Sequence, residues 1–114
     1  MKRVVVTGLG TVNSIGHNVE DSFNAAVAGE CGIDTITLFD ISEFPVKIAG
    51  EVKDFDPTTV MDKKEVKKAD RFIQLGLAAT KEAIQTFSKL LAILVDRYNK
   101  LKQGELKFPK EKSN

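Results

Sequence analysis

A long striped segment between residues 70 and 103 constrains the fold of this chain more than any other feature. The stripe residues are spaced alternately four and three apart, which places them on one face of an α-helix. The segment contains no proline, and Gly76 is its single weak helix former, costing about 1 kcal/mol against alanine. The sequence therefore predicts one long amphipathic helix over residues 70–103. Its stripe consists of Ile73, Leu77, Thr80, Ile84, Phe87, Leu91, Leu94, Tyr98 and Leu101.

A short basic segment precedes this helix. Residues 62–65, Asp-Lys-Lys-Glu, have the pattern of a capped helix start, with a carboxylate three residues after the cap. On a helix, Lys64, Lys67 and Lys68 would lie within an arc of roughly 100°, and Lys63 would extend it to one side. Such a cluster is usually a solvated charged face, yet a one-sided basic strip also docks acidic partners. The spacing leaves these two interpretations equally open.

Composition limits the class of partner and the location. The chain has 114 residues, of which 42% are hydrophobic and 29% charged, as in a small globular domain. Its formal net charge of +1 gives no general attraction to nucleic acid or membrane. One cysteine permits no internal disulfide, and the longest apolar stretch, residues 90–95, is far short of the roughly 20 that span a bilayer. We expect a cytoplasmic protein.

Strand patterns at three places, interleaved with helical ones, predict an α/β fold. Residues 4–7 are a β-branched run typical of a central strand buried on both faces. Residues 35–39 are a second short candidate. Residues 46–53 alternate apolar and polar, which predicts a strand with Lys47, Ala49, Glu51 and Lys53 on its solvated face.

Two further helical segments and a tail complete the pattern. Asn18 is a good N-cap for a helix that ends at Gly29. Asp56 before proline predicts a short helical turn, and residues 104–114 have the composition of a polar tail. The apolar face of the first helix is predicted from Val19, Phe23, Ala26 and Val27.

The strand, glycine loop and helix at the start invite a dinucleotide-binding interpretation. Gly8 and Gly10 would let backbone amides approach a pyrophosphate at a helix N-terminus. The third glycine of that fingerprint should stand at position 13, where Asn13 stands, and Gly16 comes three residues late. Glycines required by a tight turn explain the pattern better, and we predict no cofactor site.

Catalytic and metal chemistry have little support. Cys31 could be a nucleophile, but His17 is the only histidine and no motif links the two. One cysteine and one histidine cannot build a metal site without scattered carboxylates. We predict that the chain has no catalytic residues and no metal ligands.

Four motifs, kept in order and spacing over residues 1 to about 84, resemble a known family. They are residues 3–10 (Arg-Val-Val-Val-Thr-Gly-Leu-Gly), residues 29–33, residues 48–55 (Ile-Ala-Gly-Glu-Val-Lys-Asp-Phe), and residues 61–65 leading to 70–74 (Asp-Arg-Phe-Ile-Gln). Together they resemble the beginning of a β-ketoacyl-acyl carrier protein synthase. The similarity is greatest to the type II elongating enzyme of bacterial fatty acid synthesis.

This resemblance implies a thiolase-like fold, two similar α/β halves in an αβαβα arrangement that works as a homodimer. It implies condensation of an enzyme-bound acyl chain with malonyl-acyl carrier protein by a cysteine and two histidines. In the family these three lie well beyond residue 84, so Cys31 and His17 do not replace them. Lys64, Lys67 and Lys68 match the basic positions on which the family receives acidic acyl carrier protein.

The chain departs from the family in two places. Asn13 and Ser14 stand where the family usually has threonine and proline. After Ile84 the similarity is lost, so we expect residues 1–84 to be an incomplete synthase segment and residues 85–114 an unplaced helical extension with a polar tail. The implied function is an N-terminal synthase fragment that is inactive alone.

An alternative is a helix-mediated assembly module or homo-oligomer, because a four-three stripe is also the geometry of helix pairing. In that interpretation the solvated back face of the helix carries Lys81, Glu82, Lys89, Asp96 and Lys100.

Overall fold

The structure is rich in helix and has one small sheet. The computed structural model describes residues 2–104, so the predicted tail lies outside the described residues except for Gly104. In chain order the elements are α1 (Val19–Ala28), β1 (Ile33–Thr35), β2 (Ile48–Gly50), a 3-10 turn (Pro57–Thr59), α2 (Lys63–Val66) and α3 (Arg71–Lys102).

Helix α1 begins and ends where the sequence predicts. The side chain of Asn18 accepts a hydrogen bond from the backbone N–H of Asp21 at 2.8 Å, which satisfies one of the unpaired donors of the first turn. Gly29 ends the helix in the left-handed conformation, with φ of 76°, and its N–H donates to the carbonyl of Ala26 at 3.1 Å. Glycine adopts this conformation without the strain of a Cβ atom.

Strands β1 and β2 form an antiparallel pair shorter than the sequence predicts. Ile33 lies opposite Gly50, and Thr35 lies opposite Ile48. The N–H of Ile36 donates to the carbonyl of Lys47 at 3.0 Å and extends the pairing by one step. The predicted strand at residues 35–39 is therefore displaced toward the N-terminus, and the one at residues 46–53 is reduced to its centre.

The carboxylate of Glu51 explains where this pairing stops. It accepts hydrogen bonds from the backbone N–H groups of Thr37 at 3.0 Å and Leu38 at 3.1 Å, and from the Thr37 hydroxyl at 2.8 Å. Glu51 is only 8% exposed, so its predicted place on a solvated face is wrong. Backbone donors that leave the ladder require another acceptor, and this side chain supplies it.

The predicted central strand at residues 4–7 is wrong for the part of the chain that the structure describes. The segment belongs to no strand, and Val4, Val5 and Val6 are 95%, 74% and 76% exposed. A strand requires neighbours for its backbone groups. Here β1 and β2 pair with each other, so this segment has no ladder to join.

The glycines that follow the segment lie directly on α3. A Cβ atom at Gly8 would overlap the carbonyl oxygen of Ala83, and one at Gly10 would overlap that of Ala79. Neither glycine has a positive φ. The absence of a side chain at these positions therefore serves close backbone approach to a helix.

Helix α3 confirms the strongest sequence prediction. Its 32 residues span about 48 Å, with Asp70 as N-cap and Gln103 as C-cap. The stripe residues are only partly covered, because their exposure ranges from 40% at Ile73 to 63% at Tyr98.

Few side chains are buried among the described residues. The radius of gyration is 20.9 Å, against about 13 Å for a compact domain of this length. The predicted apolar face of α1 is open, with Phe23 67% and Val27 73% exposed. Further layers would be needed to cover these faces. The buried residues are Ser22, Ala25, Glu51 and Gln74.

Candidate functional site

The three predicted docking lysines lie at the corner between α2 and α3, and all are exposed. Lys64 lies in α2, whereas Lys67 is its C-cap and Lys68 lies in the following turn, so the single helix assumed for the predicted arc is wrong. Backbone bonds from Lys68 and Ala69 to the carbonyl of Glu65, both 2.9 Å, continue the turn beyond α2. Neither ion pair of residues 2–104 involves these lysines.

The start of α2 is ordered by short-range hydrogen bonds. The Glu65 carboxylate accepts from the backbone N–H of Asp62 at 3.4 Å, as a capping pattern predicts. In the turn before it, Asp56 accepts from the hydroxyl of Thr58 at 2.7 Å and from its N–H at 2.9 Å. These two bonds, the hydroxyl first, lower the pKa of Asp56 below its ordinary value. Residues 56–65 are therefore locally capped at both turns.

Gln74 fixes the angle of the corner. Its side chain is only 8% exposed, and its Nε2 group donates to the carbonyls of Val66 at 3.2 Å and Ala69 at 3.0 Å. Carbonyls at a helix C-terminus have no partner within the helix, so this amide satisfies groups that would otherwise need water. The lysine-bearing turn is thereby attached to the first turn of α3. Sequence reasoning missed this role, although Gln74 belongs to a quoted motif.

A stack of three side chains holds the start of α3 against the segment after β2. Arg71 lies over the ring of Phe55, with its guanidinium carbon 5.2 Å from the ring centroid, and donates to the carbonyl of Val52 at 3.1 Å. The opposite partner of Phe55 is His17, edge to face at 5.9 Å. Asp54, with φ of 56°, makes the sharp bend between these contacts.

The glycine loop offers no room for a phosphate. Its glycines face α3, as described above, and the N–H of Val19 at the start of α1 is taken by the Glu82 carboxylate at 2.8 Å. Asn13, in place of the fingerprint glycine, donates to the hydroxyl of Ser22 at 2.9 Å and accepts from the N–H of Ile15 at 3.0 Å. The loop is therefore closed by internal hydrogen bonds.

Glu82 itself differs from its prediction. Rather than lying on a solvated back face, it is half-buried, and its second oxygen accepts the N–H of Thr11 at 3.0 Å. A glutamate facing two unpaired backbone donors is not distinguishable by spacing from one that faces water. The sequence therefore contained no pattern that could have assigned this contact.

Cys31 and His17 line one open cleft of about 360 Å³, but neither is arranged for chemistry. The Cys31 thiol is exposed and donates weakly to the carbonyl of Ile33 at 3.7 Å. The Nε2 atom of His17 is 2.8 Å from the carbonyl oxygen of Lys53, which engages it as a donor. A ring nitrogen used in this way is not available to activate a thiol.

Among residues 2–104, no helix combines the length and the apolar character required to cross a membrane.

Residues 1–87 match the family described as "Beta-ketoacyl synthase, N-terminal domain". The 3-oxoacyl-[acyl-carrier-protein] synthase 2 of Coxiella burnetii is 46% identical over 82 residues, which are 72% of this chain and 20% of that protein. The synthase of the same name from Vibrio harveyi is 47% identical over 83 residues, covering 73% and 20%. The chain thus spans about a fifth of the length of these curated relatives.

A solved structure agrees with these sequence matches. The ishigamide ketosynthase/chain length factor superposes with a TM-score of 0.66 at 33% identity, covering 74% of this chain and 21% of that one. This similarity is of sequence and of fold. Because the family match includes more than half of its residues, the chain belongs to the β-ketoacyl synthase family, within the N-terminal domain.

Proposed function

We propose that this chain supplies the carrier-protein docking corner of a β-ketoacyl-acyl carrier protein synthase in fatty acid biosynthesis. Its relatives are named as 3-oxoacyl-[acyl-carrier-protein] synthases, so their reaction involves acyl groups on an acidic carrier. The observation that carries the proposal is the corner itself. Lys64, Lys67 and Lys68 are exposed on a turn that Gln74 attaches to α3.

Fixed geometry matters because surface charges alone bind weakly. Each exposed charge pair contributes about 0.2 to 1 kcal/mol, so three give modest affinity. A turn held in place avoids part of the entropy lost when a flexible segment is ordered on binding. The three lysines form a local positive surface on a chain with a net charge of only +1.

Condensation itself is assigned to residues that these 114 do not include. The reaction requires a thiolate and groups that stabilise the developing negative charge. The one cysteine and one histidine of the chain are engaged by backbone carbonyls instead. In the proposed arrangement the described elements supply one part of a layered αβαβα fold, with residues 1–84 as the synthase segment and residues 85–114 as a separate extension.

The test is a titration of labelled acyl carrier protein against three versions of the chain. The variant Lys64→Glu/Lys67→Glu/Lys68→Glu should lose binding. The control Lys47→Glu/Lys89→Glu/Lys102→Glu changes the net charge equally at exposed lysines elsewhere and should keep most of it. Binding should also fade between 0.1 M and 1 M salt, as the Debye length falls from about 10 Å to about 3 Å.

Equal losses in both variants would attribute binding to net charge and would contradict the proposal. Binding that is indifferent to salt would contradict it as well, because a contact of exposed charges is screened.

A further inference from the structure

The second half of α3 carries an apolar surface that the proposed docking function does not use. We call the distal stripe the six residues that continue the four-three spacing beyond Thr80. Five of them are between 43% and 63% exposed, and the sixth is half-buried. At 1.5 Å per residue the distal stripe is about 26 Å long. It consists of Ile84, Phe87, Leu91, Leu94, Tyr98 and Leu101.

Charges are segregated to the other side of this half-helix. By helical geometry Lys89 and Asp96 lie opposite the distal stripe. Asp96 forms an ion pair with Lys100 one turn away at 2.8 Å, so these two charges satisfy each other on the back face. The distal stripe itself contains no charged residue and is widened by Leu90 and Val95 on its flanks. Water therefore solvates one side of the helix well and the other side poorly.

We propose that the distal stripe is an interface between two copies of this chain, paired antiparallel through α3. The gaps along it are three, four, three, four and three residues, a series that is the same in both directions. A two-fold axis between Leu91 and Leu94 therefore places Leu91 against Leu94 of the second copy, and Ile84 against Leu101. Phe87 then faces Tyr98 of the second copy, an aromatic pair across the interface.

Charge beside the distal stripe selects the antiparallel arrangement. In a parallel pair Arg97 would face Lys102 of the second copy, because residues five apart at the flanks of a heptad meet across such pairs. Two cations in contact would oppose association. In the antiparallel register Arg97 lies beside Leu90 of the second copy, where its aliphatic stem can cover apolar surface while the guanidinium stays in water.

The size of the surface sets the strength of this pairing. A helix contact of this length buries on the order of 1,000 Å², which is the lower limit for a specific interface. We therefore expect a dimer that dissociates on dilution. The interface lies largely beyond residue 87, where the family match ends, so it can form or fail independently of docking by the lysine corner.

A matched pair of substitutions at adjacent positions tests the surface. Leu94, on the distal stripe, is 53% exposed, and Ile93, off it, is 57% exposed. Leu94→Lys and Ile93→Lys both replace an apolar residue by lysine, with the same change in charge. Sedimentation over a dilution series of the full chain should show dimers for wild type and Ile93→Lys. In Leu94→Lys the dissociation constant should rise at least about tenfold. Circular dichroism should show equal helix content in all three.

Cysteine crosslinking tests the orientation. In a Cys31→Ser background, a chain with Ile84→Cys is mixed with one carrying Leu101→Cys and oxidised. Antiparallel pairing predicts the mixed disulfide as the main product. A parallel pair would give disulfides between identical chains instead.

Three results would overturn the proposal. The first is a wild-type chain that stays monomeric across the series, and the second is equal dimerisation of the two lysine variants. The third is loss of association in Val5→Lys but not in Leu94→Lys, which would assign the contact to the exposed N-terminal segment.

Discussion

The carboxylate of Glu82 accepts a hydrogen bond from the backbone N–H of Val19, the first residue of α1, at 2.8 Å. Its other oxygen accepts the N–H of Thr11 at 3.0 Å. The two contacts cross 63 and 71 positions of sequence. A negative charge is favourable at this place, because the first N–H groups of a helix carry partial positive charge and have no partner in the helix. One side chain of α3 thereby attaches both α1 and the N-terminal segment.

Replacing Glu82 by alanine should release these two segments together. We expect a loss of about 1 to 3 kcal/mol, because hydrogen bonds to a charged group are stronger than neutral ones and the loss leaves donors unpaired. Hydrogen exchange at the amides of Thr11 and Val19 is the direct measurement, and both should exchange faster. Lys89→Ala, an exposed change on the same helix, should leave these rates unchanged. Unaltered protection in Glu82→Ala would show that other contacts hold the segments.

Gln74→Met should loosen the lysine corner without touching a lysine. Methionine has a similar length but cannot donate to the carbonyls of Val66 and Ala69, which should cost about 1 to 3 kcal/mol. Urea unfolding measures this loss, and Gln85→Met on the exposed surface of α3 is the control. Affinity for acyl carrier protein should fall as well, because the corner is no longer held. Loss of stability with undiminished affinity would mean that the lysines bind without a fixed corner.

The pairing of β1 and β2 should weaken in acid. Hydrogen bonds, first from the Thr37 hydroxyl and then from its N–H, hold the pKa of Glu51 below its ordinary value of 4.5. A lowered folded-state pKa means that the stabilisation is present above the ordinary value and is lost as pH falls through the folded-state value. Protection of the Thr37 amide should therefore drop on acidification, and Glu51→Gln should show a smaller drop. Glu20→Gln, exposed on α1, should behave as wild type.

The same substitution should have opposite effects at two glycines. A Cβ at Gly10 would overlap the carbonyl of Ala79, so Gly10→Ala must push the N-terminal segment away from α3. At Gly76 the space is open and the backbone helical, so Gly76→Ala should stabilise α3 by about 1 kcal/mol. Thermal unfolding of both variants provides the comparison. Stabilisation by Gly10→Ala would show that the segment does not lie on the helix in solution.

Local patterns predicted the helices well because their causes are local. The caps Asn18, Asp56 and Asp70 and the terminator Gly29 act within four residues, and the structure confirms each boundary. The strand at residues 4–7 failed for the opposite reason. Its β-branched composition describes a position between neighbours, and no ladder of the described residues reaches it.

The candidate site divides in the same way. The exposure of Lys64, Lys67 and Lys68 followed from their charge, whereas their role in docking stays a prediction. The residues that position them were not predictable, because the partners of Gln74 are backbone carbonyls whose location depends on the turn between two helices. Glu51 and Glu82 were assigned to solvent for the same reason. A side chain that binds backbone leaves no mark on the spacing of its neighbours.

The unbroken length of α3 would determine how many carrier proteins a pair of chains could engage at once. In the antiparallel pair the two Arg71 ends point away from each other. At 1.5 Å per residue from the two-fold axis they lie about 65 Å apart. One small carrier domain could not bridge that span, so each lysine corner would be occupied separately. Dimerisation would then double the number of docking places without an avidity gain for a monovalent partner.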